Sequence, residues 1–187
     1  YLLTKMEVKI VEGDLFETKC EVIAHQVNCT GIMGSGIAKL VRINYPEAFR
    51  EYRKLCEDFD IEPLFNLGRC QLVKVNSDNE PERWIANLFG QLLYRGYNRV
   101  CNKTLVPDIV LGDRFANYEN RYTNYEAIYR SLNALKYKCR ENDLTSIALP
   151  YKLGSDRGGA DWNIINSMIK SVFEKDRHIC VNIYKLD

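Results

Sequence analysis

Apolar and polar positions alternate along several short stretches of the chain, and these stretches predict strands. MEVKIVEGDL predicts a half-buried strand that stops at the turn Gly13-Asp14. CEVIAHQVN predicts a second strand, and CQLVKV and WIANLFG predict two more, joined by the polar turn NSDNEPER as a hairpin or tight connection. TSIALP and ICVNIYKL predict the last two, so the chain is expected to form about six strands.

Apolar positions at helical spacing predict three helices. The first begins at Ser35 and is interrupted or restarted at Pro46, because proline cannot continue the helical hydrogen bonding. NYEAIYRSLNALKYKCREND predicts an amphipathic helix, and DWNIINSMIKSVFEK predicts one that is capped by Asp161. Helices and strands alternate in the second half of the chain, which favours an α/β sheet covered by helices on both faces.

Length and composition indicate a single domain over residues 1–187. The chain has 187 residues, of which 46% are hydrophobic, enough for one compact core. Residues 92–122 are polar, rich in tyrosine and weakly patterned, which indicates either a long surface loop or a small inserted subdomain.

Charge and cysteine content restrict the classes of partner. No apolar run is long enough to span a membrane, and the N-terminal stretch is too charged for a signal sequence, so we expect a cytoplasmic protein without membrane contact. Seven scattered cysteines and two histidines lack metal-ligand spacing, so we expect reduced thiols, no metal and no cofactor. Lys and Arg number 26 against 25 Asp and Glu, so an anion must be bound locally, by shape and backbone.

Two glycine-rich loops each lie between a predicted strand and a predicted helix: TGIMGSG at residues 30–36 and LGSDRGG at residues 153–159. In an open α/β sheet both loops open at the carboxyl edge of the strands, where ligands bind. Glycines allow close approach of the backbone, and a helix N-terminus favours an anion. Neither loop matches the Walker pattern, and each alone is also an ordinary strand-to-helix turn. Together they favour a site for a diphosphate.

Five polar side chains near these loops have two interpretations each. Asp14 either accepts from the amine of an adenine or is a turn residue, and Asn28 either binds ribose hydroxyls or closes an Asx turn. His25 is either a core residue or a catalytic group, and Asp161 is either a helix N-cap or a general base. Asp156 either reaches the ligand or faces water.

The segments GDLF, VIAHQVNCTGIMGSGIAKLVRINYPEAFREY, CQLVKV with IANLFGQ, RYTNYEAI and ALPYKLGSDRGGADW resemble the macrodomain family in their order and motifs. The resemblance covers nearly the whole chain except the insertion around residues 92–117. It is strongest for the branch that contains ADP-ribose-1″-phosphate phosphatases and the glycohydrolases that remove ADP-ribose from acidic residues or DNA. The resemblance implies a three-layer α/β/α fold with a mixed, mostly parallel central sheet, and a cleft that binds ADP-ribose or a derivative.

The resemblance also implies positions for the ligand. Asp14 and the backbone amide of Leu15 would recognise adenine, and Asn28 would contact the distal ribose. The first phosphate loop would comprise Gly34, Ser35, Gly36 and Ile37, and the second would comprise Gly154, Ser155, Asp156, Arg157, Gly158 and Gly159.

Three departures from the family pattern refine the expected chemistry. HQVN replaces the NAAN of many macrodomains, which puts His25 where the phosphatase side of the branch has a candidate catalytic group. Gly90 and Gln91 stand near the place where glycohydrolases of the branch use a lysine, which counts against a covalent lysine mechanism. Asp156 stands where a small residue is common, so we expect the contacts of the second loop with a diphosphate to differ from the family pattern.

The sequence therefore predicts a hydrolase of ADP-ribose-1″-phosphate or a related ester of the terminal ribose. In this hypothesis His25 acts as acid or base, and Asp161 orients or activates water. Two alternatives stay open: a reader that binds ADP-ribose without turnover, and a hydrolase that removes ADP-ribose from a modified protein or nucleic acid.

Overall fold

A computed structural model of the chain describes residues 7–58, 63–75, 82–94 and 121–186. Most of the predicted insertion at residues 92–122 and much of the predicted turn NSDNEPER lie outside the described residues. Within them, the elements are β1 Val8–Glu12, β2 Val22–Val27, α1 Gly36–Asn44, α2 Pro46–Asp58, β3 Cys70–Val75, β4 Arg83–Phe89, α3 Tyr125–Glu141, β5 Ser146–Pro150, α4 Trp162–Phe173 and β6 Cys180–Lys185.

The strands form one sheet in the order β1-β6-β5-β2-β4-β3. Every neighbouring pair is parallel except β3 and β4, which are antiparallel with Leu72 opposite Ala86. Parallel neighbours need long crossovers, and the helices supply them, whereas β3 and β4 follow each other directly. This confirms the predicted mixed, mostly parallel sheet of six strands.

Helices cover both faces of the sheet. Successive residues of each strand point to opposite faces, so each strand contributes side chains to both layers. In β2, Val22 and Ala24 join the larger apolar cluster, which includes residues of α3 and α4. Ile23 joins a second cluster with Val41 of α1 and Ala48 of α2. The predicted apolar side of α3 is buried at Ile128, Leu132, Leu135 and Cys139. The chain therefore has the three layers expected of an α/β/α fold.

The first predicted helix is two helices. Helix α1 ends at Asn44, Tyr45 has φ −132° and ψ 68°, and α2 begins at Pro46. The helical conformation is disfavoured for a residue that precedes proline. The helix is therefore broken at Tyr45, where the position of Pro46 predicts the break. The part of the chain that the structure describes thus holds four helices where the pattern predicted three with an interruption.

Three strand ends at the centre and one side of the sheet lie at the same edge. Strands β2 and β5 are parallel neighbours, and β1 runs parallel to them through β6. The chain leaves β2 after Val27 towards α1, and leaves β5 after Pro150 towards α4. The two glycine-rich loops therefore meet at one edge, beside the turn that follows β1.

Candidate functional site

A cleft of about 620 Å³ opens at this edge of the sheet. It is lined by most of the residues that the sequence singles out, namely Asp14, Leu15, His25, Asn28, Gly34, Ser35, Gly36, Ile37, Gly154, Asp156, Arg157 and Gly158. Ser155, Gly159 and Asp161 of the predicted set are not among its lining residues. The fold thus brings the turn after β1 and both glycine-rich loops to one cavity.

The first loop delivers the N-terminus of α1 to the cleft. Ser35 is the N-cap residue in an extended conformation, and its hydroxyl makes no capping hydrogen bond. Gly36 begins the helix with φ +56°, a conformation that glycine adopts without the strain of a side chain. The first N–H groups of a helix have no partner within the helix, and their partial positive charge favours an anion. This end of α1 is therefore suited to hold a phosphate group by its backbone.

Asn28 holds the first loop in shape. Its Oδ1 accepts hydrogen bonds from the backbone N–H of Thr30 at 2.9 Å and from the Thr30 hydroxyl at 2.7 Å. Its Nδ2 donates to the carbonyl of Ile32 at 2.7 Å. From beneath, the buried hydroxyl of Tyr52 lies 2.7 Å from Asn28 Oδ1 and 2.8 Å from its backbone carbonyl. Both atoms of the amide therefore serve the loop itself, which supports the Asx-turn interpretation.

A bridge of side chains fixes the second loop to β2. The Gln26 amide donates to Gln91 Oε1 at 2.7 Å and to the Thr123 hydroxyl at 2.8 Å. The Thr123 hydroxyl in turn donates to the carbonyl of Gly154 at 2.7 Å. Because these groups are buried or half-buried, each bond is worth more than it would be in water. The position of the second loop thus depends on side chains from three separate segments.

This bridge leaves no room for a side chain at Gly158 in the second loop. A Cβ atom built on Gly158 would overlap the Thr123 hydroxyl and the carbonyl of Gly154. In the first loop, by contrast, a Cβ on Gly34 would meet only the side chain of Ile32, at 3.6 Å. Gly158 is therefore required by packing against the bridge as well as by any approach of a ligand.

Arg157 spans the cleft from the second loop to the first. Its Cδ lies 3.9 Å from the position that a Cβ on Gly36 would occupy, at the start of α1. The side chain is exposed, and within the described residues its guanidinium has no hydrogen bond or ion pair. A cation beside a helix N-terminus adds to the positive potential at the point where the loops face each other.

His25 lies in β2 with 1% of its surface exposed, and it also lines the cleft. Its Nε2 is 2.7 Å from Asn87 Oδ1 on the neighbouring strand β4, and its Nδ1 is buried without a partner in the described structure. Burial lowers the pKa of the imidazole from 6.5 to about 4, against the opposing effect of the Asn87 hydrogen bond. The ring is therefore neutral at pH 7 and offers a lone pair, which suits a base better than an acid.

No protein-family model matches the chain. The macrodomain of Mycobacterium tuberculosis DarG superposes on it with a TM-score of 0.70 and 25% sequence identity, over 95% of this chain and 96% of that one. The chain has the macrodomain fold.

Two curated relatives of this macrodomain carry different names. A DNA ADP-ribosyl glycohydrolase of Mycobacterium tuberculosis is 26% identical over 172 residues, which are 92% of this chain and 40% of that protein. An ADP-ribose 1″-phosphate phosphatase of Debaryomyces hansenii is 24% identical over 193 residues, which are 96% of this chain and 99% of that protein. The macrodomain thus spans about two fifths of the length of its glycohydrolase relatives, but nearly all of this phosphatase.

Two of the three predicted acidic residues of the macrodomain act as caps. Asp14 accepts a hydrogen bond from the backbone N–H of Phe16 at 2.9 Å, at the start of a short 3₁₀ turn, while still lining the cleft. Asp161 accepts from the backbone N–H of Asn163 at 2.8 Å and is the N-cap of α4. The structure does not bring Asp161 together with His25 among the lining residues of the cleft, and it favours the capping interpretation.

Four residues that organise the macrodomain cleft were not singled out from the sequence: Gln26, Tyr52, Asn87 and Thr123. One signal was present for two of them, since Gln26 and Asn87 are uncharged polar residues in largely apolar strands, where an amide needs a partner. No comparable signal in the sequence distinguishes Tyr52 from other aromatic core residues, because its role depends on where its hydroxyl lies in the fold.

The described part of the macrodomain contains no group of three or more His, Cys, Asp or Glu residues arranged to hold a metal ion. None of its described helices has the length and apolar character needed to cross a membrane.

Proposed function

We propose that this macrodomain binds ADP-ribose between its two glycine-rich loops and hydrolyses a phosphate ester of the terminal ribose, with ADP-ribose-1″-phosphate as the model substrate. The observation that carries the proposal is the arrangement of the cleft, where the uncapped N-terminus of α1 faces Arg157 across the gap between the loops. Backbone N–H groups and one guanidinium are the donors that a diphosphate requires. The phosphatase relative that matches over its whole length supports the choice of substrate.

The buried imidazole supplies a group for the chemistry. In the hydrolysis, water provides the hydroxyl that is added to the phosphorus, and the leaving ribose oxygen takes up a proton, which yields ADP-ribose and phosphate. His25 is neutral at pH 7 because burial lowers its pKa to about 4, and Nδ1, which is buried without a partner among the described residues, is the nitrogen that accepts a proton from that water in this proposal. Phosphate esters need positioning and charge stabilisation more than covalent help, and the cleft offers both.

A second candidate function is removal of ADP-ribose from a macromolecule, which the name of the Mycobacterium tuberculosis relative favours. Gly90 and Gln91 stand near the place where that branch uses a lysine, and Gln91 is the one of the two with a polar side chain. Its amide is committed on both sides, accepting from Gln26 at 2.7 Å and donating to the carbonyl of Leu93 at 2.9 Å. A glutamine so engaged provides no amine nucleophile, and this supports the phosphate ester over the lysine-dependent reaction.

The binding half of the proposal is tested by calorimetry with ADP-ribose. We expect Arg157→Leu to weaken binding by about tenfold, equivalent to about 1.4 kcal/mol, and to reduce the salt dependence of the affinity. Arg177→Leu is the matched control, because Arg177 is an exposed arginine that does not line the cleft. Equal affinities for the two variants would refute the placement of the diphosphate beside Arg157.

The catalytic half is tested by release of phosphate from ADP-ribose-1″-phosphate. We expect turnover by the wild type and loss of most of it in His25→Gln. Asp161→Asn keeps a capping side chain but removes the carboxylate, and we expect it to retain turnover because Asp161 does not line the cleft. Tight binding without turnover in the wild type would identify a reader, and release of ADP-ribose from modified protein or DNA in preference to the ester would favour the second candidate.

A further inference from the structure

Three polar side chains lie side by side across one face of the sheet. His25 of β2 is in register with Asn87 of β4, and Asn87 is in register with Gln71 of β3, so all three point towards the layer of α1 and α2. The distance from His25 Nε2 to Asn87 Oδ1 is 2.7 Å, and Asn87 Nδ2 is 3.0 Å from Gln71 Oε1. The row ends on α2, where Gln71 Nε2 lies 2.9 Å from the backbone carbonyl of Glu51.

The carbonyl at the end of this row sets the direction of every hydrogen bond in it. A backbone carbonyl only accepts, so Gln71 must present its NH₂ group to Glu51 and its oxygen to Asn87. Asn87 then presents its NH₂ group to Gln71 and its oxygen to the imidazole, which must donate from Nε2. Reversing Asn87 would set its oxygen against that of Gln71 in a half-buried place, where an unmade hydrogen bond is costly. Reversing Gln71 would set two acceptors against each other at the exposed contact with Glu51 and two donors against each other at Asn87.

We propose that Asn87 and Gln71 are positioning residues that hold His25 as the Nε2–H tautomer and thereby leave Nδ1 as the proton acceptor beside the cleft. Asn87 is fully buried. The imidazole therefore has a hydrogen-bond partner at Nε2, and at Nδ1 it has none among the described residues. The inference rests on the proposed function for the role of Nδ1, which accepts a proton in that reaction. The tautomer itself follows from the hydrogen bonds alone.

Nuclear magnetic resonance of protein labelled with ¹⁵N-histidine tests the tautomer without any substrate. The chain has two histidines, so the spectrum of His25→Gln assigns the remaining signals to His178. At neutral pH we expect His25 to show an unprotonated Nδ1 and a protonated Nε2. A protonated Nδ1, a mixture of tautomers or an imidazolium ion in the wild type would overturn the proposal.

Variants along the row test whether the tautomer is set from a distance. Gln71→Leu leaves His25 and its direct partner in place but frees Asn87 to rotate, so we expect two tautomers of His25 to appear. Val73→Ala is the matched control, because Val73 lies two residues along the same strand, packs on the same side and takes no part in the row. A single Nε2–H tautomer in Gln71→Leu would refute a positioning role for Gln71.

Asn87→Asp supplies the second readout. A carboxylate still accepts from Nε2, but its charge favours the imidazolium, so we expect the pKa of His25 to rise by about one unit or more. Burial and the Asn87 bond set that pKa in the wild type, with no charged side chain of the described residues among its determinants. The low-pH limb of turnover should move upward with it, whereas an unchanged pKa in a folded variant would contradict the contact. Failure of turnover in a protein with the expected tautomer would refute the proposed function and leave this inference intact.

Discussion

The buried imidazole of His25 makes the stability of the folded macrodomain depend on pH. Its pKa is about 4 in the native protein and 6.5 at its ordinary value, so between these values the unfolded chain binds a proton that the native chain does not. This group therefore does not reduce the free energy of unfolding well above pH 6.5, and it reduces that free energy progressively as the pH falls from 6.5 towards 4. A variant without the imidazole lacks this part of the acid sensitivity.

The size of the effect follows from the two pKa values. Each unit of difference corresponds to about 1.4 kcal/mol, so the whole window from 6.5 to about 4 is worth about 3 kcal/mol. Between about pH 7.5 and about pH 5 the linkage relation gives a loss of about 2 kcal/mol from this one group. Because the side chain is 1% exposed, solvent screening does not reduce this contribution substantially.

Urea unfolding at these two pH values measures the effect, with His25→Gln compared with the wild type at each pH. We expect the free energy of unfolding of the wild type to fall by about 2 kcal/mol more than that of the variant, whatever the two absolute stabilities are. His178→Gln is the matched control, because His178 is the other histidine and is exposed, and it should follow the wild type. The same pH dependence in the wild type and in His25→Gln would refute the account of a buried neutral imidazole.

Two further predictions concern the supports of the loops. Gly158→Ala places a methyl group against the Thr123 hydroxyl, so we expect thermal or urea unfolding to show a loss of about 2 kcal/mol, whereas Gly34→Ala, which meets only ordinary contacts, should stay within about 0.5 kcal/mol of the wild type. Equal losses would contradict the described packing. Tyr52→Phe removes the buried hydroxyl that contacts Asn28, so we expect a loss of about 1 to 2 kcal/mol and weaker binding of ADP-ribose, checked by unfolding and calorimetry; an unchanged stability would mean that the hydroxyl does not hold the loop.

Features that depend on local chain geometry could be predicted from the sequence. The two glycine-rich loops follow strands and precede helices, and parallel strands share one carboxyl edge, so their meeting in one cleft follows from the topology. Pro46 and Asp161 likewise mark the start of a helix through effects within a few residues. Such signals do not require knowledge of which distant segments are neighbours.

The partners of individual side chains could not be predicted, because they come from segments far apart in the chain. Thr123 supports the second loop across 31 residues, and Asn87 lies 62 residues from His25. Which of the two interpretations of Asn28 the structure favours was also beyond the sequence, since it depends on the buried hydroxyl of Tyr52 reaching the loop. Sheet order and register decide these contacts, and several registers fit the same apolar pattern.

The two adjacent polar residues of β2 show that the sequence pattern nevertheless contained some information about side-chain partners. Side chains alternate along a strand, so His25 and Gln26 must face opposite layers and cannot belong to one hydrogen-bond network. The structure gives each its own: His25 joins the row under α1 and α2, and Gln26 joins the bridge to Thr123 and the second loop. Two neighbouring amide or imidazole side chains near the end of a buried strand therefore imply two separate polar systems. Under the proposed function, one system orients the proton acceptor and the other positions a loop that binds phosphate, so the chemistry and the binding rest on independent hydrogen-bond networks.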